Sequence, residues 1–430
     1  MIGIPFKKTI FCLLLAVSTR LQVDSQLIYA DYVYEPNIKS VQFYRESNEN
    51  AFPVLYLGDN DAKLNLEFDQ LLDDQALPEN LSVAFVNCLS NWEPSDIQSF
   101  DFTDQFTFYS INEWRSSQNT RIPYVHYTYS FSLASNGLKR SGNYLLYVYR
   151  QSDPEAPIIS RRFIIEERKV SIVPKLGQSY SVGQRNKLQS LAFDLFPGSV
   201  PTTDPARELE VYILQNGRWD NVRGPIRPTF VTPDKLEFMF DASVEFQGGN
   251  EFRMLDIRST RFRTAQVKTI EDHDSIWYYE LFTDETRSKE AYTLRKDLNG
   301  GFIIAVQEYQ NADWQADYVM VHFSVSQPDQ LKDRDVFVSG RLSNYQNMGD
   351  FQMAYNTMTQ RYETEVLLKN GVYDYKYVVV PKKTRTPDET FFEGSFYETE
   401  NFYTILVYYR GIIERSHRLV GMTHINYWDR

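Results

Sequence analysis

The chain has 430 residues, of which 42% are hydrophobic and 24% charged, so wholesale disorder and a protein with many membrane spans are excluded. This length predicts two or three domains rather than one core. The formal net charge of −12 leaves no surplus of cations for a phosphate backbone or an anionic lipid surface. We therefore expect no nucleic-acid partner and no direct insertion into a membrane.

The N-terminus has the layout of a secretory signal peptide, which we assign to residues 1–25. Lys7 and Lys8 precede a nine-residue apolar run at 9–17, which is too short to cross a bilayer. Cys12 lies inside this run, so Cys88 is the one cysteine of the mature chain and an internal disulfide is impossible.

Aromatic residues make up 15% of the chain, and its repeating signal has period two, as expected of β-strands. Two segments, 64–68 and 125–131, alternate between apolar and polar residues and predict strands with one wet face. Further strands are predicted at 81–86, 144–149, 162–165, 209–214, 236–240, 301–307, 319–325, 335–339, 362–368, 373–380 and 403–409. Helical periodicity is limited to one or two turns, such as 69–75.

Four Asn-Gly pairs, which tolerate positive φ, predict tight turns between strands. They are Asn136-Gly137, Asn216-Gly217, Asn299-Gly300 and Asn370-Gly371. Short strands with frequent turns predict an all-β protein of tandem immunoglobulin-like β-sandwich domains. We place the domains at 26–167, 168–328 and 329–430, because segments poor in apolar residues follow 168 and a polar stretch with a proline spans 326–330.

Residue chemistry gives little sign of catalysis. Cys88 and His126 could be a nucleophile and its base, but a lone cysteine at a strand end is more often a small buried hydrophobe. The best metal candidate, Glu271-Asp272-His273-Asp274, is better explained as a solvated turn, because consecutive residues of an extended chain point to opposite sides. We expect no enzyme activity, no cofactor, no metal and no small-molecule substrate.

Two groups of segments are distinctive in shape. The first joins the stretch around Trp92 to the turn at Asn119, and the second comprises the turn-rich segments 215–221 and 248–253. Exposed polar and aromatic groups in such turns suit a protein interface. We select Trp92, Asn119, Trp219, Asn250 and Arg253 as candidate partner-interface residues, although a tryptophan tucked under a loop would also explain the first group.

Together these residues resemble the plug protein of the type IX secretion system of Bacteroidetes. The matching stretches cover most of the mature chain: Cys-x-x-x-Trp-x-Pro-Ser at 88–95, Ser-x-Asn-Thr at 117–120, Tyr-x-His-Tyr at 124–127, Ser-Gly-Asn-Tyr-Leu-Leu at 141–146, Gln-Asn-x-Arg-Trp-Asp at 215–220, Gly-Gly-Asn-Glu-Phe-Arg at 248–253, and 400–410. One departure is Asn87, where the family usually has histidine.

The resemblance implies a non-enzymatic periplasmic protein, associated with the outer membrane through its partner. That partner is the translocon, a giant outer-membrane barrel, and the plug closes its periplasmic mouth when no substrate is passing. An alternative comes from the C-terminal domain, which resembles the early-set modules that include glycogen-binding domains. A carbohydrate-binding role is weaker, because the loop at 342–347 lacks the tryptophans on which such modules stack sugars. A secreted hydrolase is weaker still.

Overall fold

The computed structural model describes residues 26–72, 77–105, 108–347 and 349–426, so the predicted signal peptide lies outside the described residues. The regular structure of the described chain is almost all β-strand, with only single-turn helices, which confirms the all-β prediction. Within these ranges no helix is long and apolar enough to cross a membrane. Three β-sandwich units, each around its own apolar core, make up the molecule.

The first unit packs a four-stranded sheet, β2-β4-β8-β7, against β10, β9, β5 and the strands beside them. Its core includes Leu66, Phe68, Phe131 and Phe163, all of which are fully or almost fully buried. The elements are β1 (Tyr32–Val33), β2 (Ile38–Arg45), β3 (Val54–Tyr56), β4 (Lys63–Leu71), β5 (Leu81–Cys88), α1 (Ser99–Phe102), β6 (Phe108–Ser110), β7 (Glu113–Ser116), β8 (Tyr124–Ser132), α2 (Leu133–Asn136), β9 (Gly142–Arg150) and β10 (Asp153–Glu166).

The second unit begins with a sheet ordered β11-β12-β16-β15, with β17 also paired to β12. This sheet covers one face of β13 and β14, and Leu191, Phe193 and Ile213 lie in the core between them. The elements are β11 (Ser171–Gln178), β12 (Leu188–Phe196), α3 (Pro205–Glu208), β13 (Leu209–Gln215), β14 (Arg223–Ile226), β15 (Phe230–Val231), β16 (Leu236–Phe238) and β17 (Glu245–Gln247), with 3₁₀ turns at Val182–Gln184 and Ala242–Val244.

The third unit is one sheet of nine strands folded over its own core, which Val321, Phe323, Tyr375 and Tyr377 help to fill. Its order is β18-β26-β23-β24-β25-β22-β20-β19, with β21 also on β26. The elements are β18 (Arg253–Asp256), β19 (Val267–Asp272), β20 (Trp277–Leu281), β21 (Phe302–Ile304), α4 (Ala312–Gln315), β22 (Tyr318–Ser326), β23 (Arg334–Ser339), β24 (Gln352–Asn356), β25 (Arg361–Lys369) and β26 (Gly371–Pro381), with 3₁₀ turns at Arg341–Ser343 and Gly349–Phe351.

Two strands beyond the third unit return to the second: β27 (Phe402–Tyr409) and β28 (Arg418–Asn426). β27 pairs with β13, and β28 pairs with β27 and runs parallel to β10, where Leu419 lies opposite Glu166. These pairings create a ten-stranded sheet, β14-β13-β27-β28-β10-β9-β5-β6 with β1 and β3 alongside, which the first and second units share.

The predicted boundary at 328/329 is therefore wrong. β22 ends at Ser326 and pairs along its whole length with β25, so a cut at 328 would divide the third unit. The polar stretch at 326–330 is a connection between β22 and β23 inside one sandwich rather than a linker. The second unit is discontinuous instead, and the third unit is inserted between β17 and β27.

The predicted helical turn at 69–75 is also wrong over its first three residues, which belong to β4. Residues 73–76 lie outside the described residues. Asp69 lies opposite His126 on the polar face of β4 and β8, and the third unit buries this part of the predicted wet face. Burial of a polar face by another unit is a tertiary effect that period-two alternation does not show.

Three of the four Asn-Gly pairs adopt the predicted positive φ at one or both residues. The exception is Asn370-Gly371, which has no positive φ. It carries the chain from β25 to β26, two strands that do not pair with each other but belong to opposite layers of the third unit. Its connection is thus a crossing between layers and not a hairpin.

Candidate partner-binding surface

Trp92 and Trp219 come together although they lie in different units. Their rings meet edge to face with centroids 4.8 Å apart, and the Arg162 guanidinium lies 4.5 Å from the Trp92 ring centre. Trp92 is only 5% exposed and has φ 70°. Trp92 is therefore not available to an external partner, because its ring is used to join the first and second units.

Asn250 and Arg253 lie where the chain leaves the second unit for the third. The Asn250 side-chain amide donates to the Glu393 carbonyl at 2.7 Å, and Phe396 N donates to the Gly249 carbonyl at 2.8 Å. Arg253 is buried and binds the carboxylates of Glu393 (3.1 Å) and Asp284 (2.6 Å). The outgoing and returning segments are thus fastened side by side.

Close backbone packing explains Gly248, and a φ of 66° explains Gly249. A Cβ atom on Gly248 would lie 2.0 Å from the carbonyl oxygen of Phe396, closer than any side chain tolerates. The side chains of Asn250 and Arg253 therefore hold the inserted third unit in place. The turn-rich segment 248–253 is therefore an internal joint between the second and third units. The assignment of Arg253 as an exposed interface residue is wrong.

Asn119 alone of the five candidates is exposed. It has φ 62° in the turn between β7 and β8. The preceding residue, Gln118, donates its backbone N–H to the Trp314 carbonyl of α4 at 2.7 Å. Asn119 thus lies beside the contact between the first and third units, where its own side chain remains open to solvent.

Arg218 is a joint residue that sequence analysis did not select. It is buried, pairs with Asp220 and Glu389, and lies 4.3 Å from the ring centre of Tyr345. Its guanidinium therefore connects the second unit to the third. Tyr345, the aromatic residue of the loop proposed for sugar binding, packs in this joint, so the structure does not favour the carbohydrate alternative.

The first and third units meet at a buried charge network. Asp69 accepts hydrogen bonds from Lys369 (2.6 Å) and Tyr318 (2.7 Å), and its other oxygen lies 2.8 Å from His126 Nδ1. Burial alone would raise the pKa of Asp69, but Lys369 and His126 lower it below its ordinary value. The carboxylate is therefore charged and balanced in a site that water does not reach.

The proposed pairing of Cys88 with His126 does not occur. His126 is on β8 of the four-stranded sheet and is bound to Asp69, whereas Cys88 ends β5 in the ten-stranded sheet. Burial raises the pKa of the Cys88 thiol to about 12, so it is a buried neutral group, as predicted. The segment 271–274 is exposed, as predicted, but only His273 and Asp274 lie in the turn, because Glu271 and Asp272 are the last residues of β19.

One end of the ten-stranded sheet carries the apolar side chains most open to solvent around these joints. Ile412 and Ile413, between β27 and β28, are 90% and 94% exposed, and Phe100 on α1 is also exposed. Arg140 pairs with Glu414 of the β27–β28 connection, and the preceding residue, Lys139, donates its backbone N–H to the Phe102 carbonyl of α1. Exposed apolar groups next to charged ones are typical of a protein-binding surface.

Comparisons with known proteins agree with this architecture. Residues 38–167, nearly the whole first unit, match the family described as "Type 9 secretion system plug protein 1st domain", which confirms the resemblance stated from the sequence. A solved structure, a hypothetical protein from Parabacteroides merdae ATCC 43184, is similar over 93% of this chain and 100% of that chain, with a TM-score of 0.88 and 28% identity. No curated protein matches at a significant level.

Proposed function

We propose that this chain seals a secretion pore. Its first unit matches the type 9 secretion system plug family, and this match supports a role as a component of type IX secretion in the cell envelope. It binds the periplasmic side of the outer-membrane translocon barrel and closes the pore when no substrate is passing. The family match of residues 38–167 carries the proposal. The chain acts by binding and not by catalysis.

The joints between the units support a sealing role, because a plug must behave as one body. The ten-stranded sheet, the inserted third unit and the Asp69–Lys369 pair tie all three sandwiches together. A compact globule of about 405 residues has a diameter of about 55 Å by the scaling of globular domains. The largest known barrels, with about 36 strands, are roughly 70 Å across their backbone. One sandwich alone would be too small for such an opening.

The contact with the barrel is proposed at the end of the ten-stranded sheet that bears Ile412, Ile413 and Phe100. Ile412 and Ile413, next to the Arg140–Glu414 pair, and exposed Phe100 on α1 offer apolar anchors with charged groups nearby, as reversible interfaces require. The selected residues Trp92 and Arg253 contribute indirectly, by holding the units in place.

Sealing is tested by the permeability of the outer membrane. Deleting this protein should let a bulky antibiotic or dye enter cells that keep the barrel and no other plug, and deleting the barrel as well should abolish that entry. The measurement is uptake in the single and the double deletion strains. Unchanged uptake in the strain that keeps the barrel would show that the chain does not seal it.

The contact surface is tested with a pair of matched variants. Ile412→Asp with Ile413→Asp should reduce co-purification with the barrel at least about tenfold, because burying two carboxylates at an apolar contact is costly. Met358→Asp is the control, since Met358 is also almost fully exposed but lies in the β24–β25 turn of the third unit. Equal co-purification of both variants would place the contact elsewhere.

A further inference from the structure

Three acidic or imidazole side chains from distant parts of the sequence converge beside the first–third joint. They are Glu67 of β4, His126 of β8 and Asp313 of α4, and one possible ligand atom from each lies within 4.8 Å of the other two. Carboxylate oxygens and an imidazole nitrogen are a donor set that suits divalent first-row transition ions, whereas calcium and magnesium prefer oxygen alone.

His126 is oriented as a metal ligand would be. Its side chain is nine-tenths buried, and Nδ1 lies 2.8 Å from Asp69 Oδ1, which leaves Nε2 as the nitrogen open to a ligand. Within the described part of the chain Nε2 has no hydrogen-bond partner. In metal sites, the ring nitrogen of a histidine that does not bind the metal usually donates to a carboxylate. That hydrogen bond sets the ring orientation and raises the basicity of the metal-binding nitrogen.

The carboxylates of this cluster are short of a counter-charge. Among the described residues neither Glu67 nor Asp313 forms an ion pair with lysine or arginine, and the nearby Lys369 is bound to Asp69 and to the backbone carbonyl of Asp313. A divalent cation would compensate this surplus of negative charge.

We propose that Glu67, His126 and Asp313 form a binding site for a divalent transition ion of the zinc class, which links the first unit to the third. Glu67 and His126 are fixed, by the Tyr44 hydroxyl at 2.8 Å and by Asp69. Asp313 is exposed on a one-turn helix and closes on the ion from the other unit. This proposal differs from the expectation from the sequence, which was that the chain binds no metal.

The test is a titration of the full-length mature protein, stripped with a chelator, with Zn²⁺, followed by calorimetry and by thermal unfolding. We expect one ion per chain and a higher melting temperature in the presence of Zn²⁺. Bound Co²⁺ should show the visible absorption of a site with fewer than six ligands. Absence of both binding and stabilisation at millimolar Zn²⁺ would overturn the proposal.

Two conservative variants locate the site. Asp313→Asn and Glu67→Gln should each weaken Zn²⁺ binding by about tenfold or more, because each removes one charged ligand. The control pair is Glu271→Gln and His273→Gln, a carboxylate and an imidazole 3.1 Å apart at the exposed end of β19, which should leave binding unchanged. Weakening by the control variants, or full affinity in Asp313→Asn, would show that the ion does not bind between the units. Far-ultraviolet circular dichroism checks that each variant is folded.

Discussion

The contact between the first and second units is continuous β-sheet with aromatic side chains beside it, whereas the contact between the first and third units is built around buried charges. The first joint consists of β10 against β28 together with Trp92, Trp219 and Arg162. At the second, Asp69 and Lys369 are each 1% exposed. An apolar sheet joint tolerates changes of pH and salt, but a buried ion pair depends on both partners being present and charged.

The largest effect should follow from Lys369→Met, which breaks the charged joint. The substitution leaves the Asp69 carboxylate buried without its lysine partner, so the free energy of unfolding should fall by about 3–5 kcal/mol. The measurement is chemical denaturation near neutral pH. Lys235→Met is the matched control, because Lys235 pairs with Asp194 and Glu237 at the surface and its loss should have little effect on the free energy of unfolding. Similar losses for both variants would contradict a special role for the buried pair.

The next effect should come from Trp92→Ala, which opens the aromatic joint. Removing a buried indole that contacts Trp219 and Arg162 should lower the free energy of unfolding by about 3 kcal/mol. Trp114→Ala on β7 removes a half-exposed indole and should change stability by about 0.5 kcal/mol or less. If the two variants were equally stable, Trp92 would not be part of the joint.

A smaller, pH-dependent effect is expected at Glu210, which lies where β13 approaches the first unit. Hydrogen bonds from His417 and Ser90 lower the pKa of this carboxyl to about 2, against the raising effect of burial. Its contribution to stability is therefore complete above its ordinary pKa near 4.5 and is lost as the pH falls towards 2. Glu210→Gln should cost about 1 kcal/mol at pH 7, a value reduced for partial exposure, and nothing near pH 2.

Acid titration of the unfolding free energy measures this difference. Glu113→Gln, on exposed β7, serves as the control and should leave the free energy unchanged at both pH values. A constant difference between Glu210→Gln and the parent protein from pH 7 to pH 2 would exclude the assigned linkage.

The smallest effect is expected at Cys88, which lies among the buried side chains of the first–second joint. Cys88→Ala removes one buried sulfur atom, so the protein should lose about 1 kcal/mol or less and secretion should remain intact. The measurement is secretion of a type IX substrate by cells that carry the variant at normal abundance. Loss of secretion with a stable variant would indicate chemistry at the thiol.

The strands were predictable because their apolar residues alternate locally. β4, β8 and β25 each show this pattern, and the pattern does not depend on which strand pairs with which. The joints were not predictable in the same way. Asp69 and Lys369 are 300 positions apart, and the alternation that places Asp69 on a polar face is the same whether water or another unit covers it.

The inserted third unit escaped prediction for a similar reason. β27 has the composition of any buried strand, and its pairing with β13 leaves no local signal. The motifs at 215–220 and 248–253 were correctly recognised as unusual, but their turns and charges stabilise internal joints. Exposed Ile412 and Ile413 could have been found from the sequence, because two adjacent isoleucines between a glycine and a glutamate do not fit a strand core.

The position of β28 in the shared sheet has a consequence for how the chain folds. Until Arg418–Asn426 has been synthesised, β10 lacks one of its two parallel neighbours, β3 being the other, and β27 lacks one of its two partners. The second sandwich cannot close, although all residues of the third are already present. Such long-range pairing is slow and leaves unpaired strand edges exposed. A nascent copy should therefore need protection from aggregation until its last strand arrives.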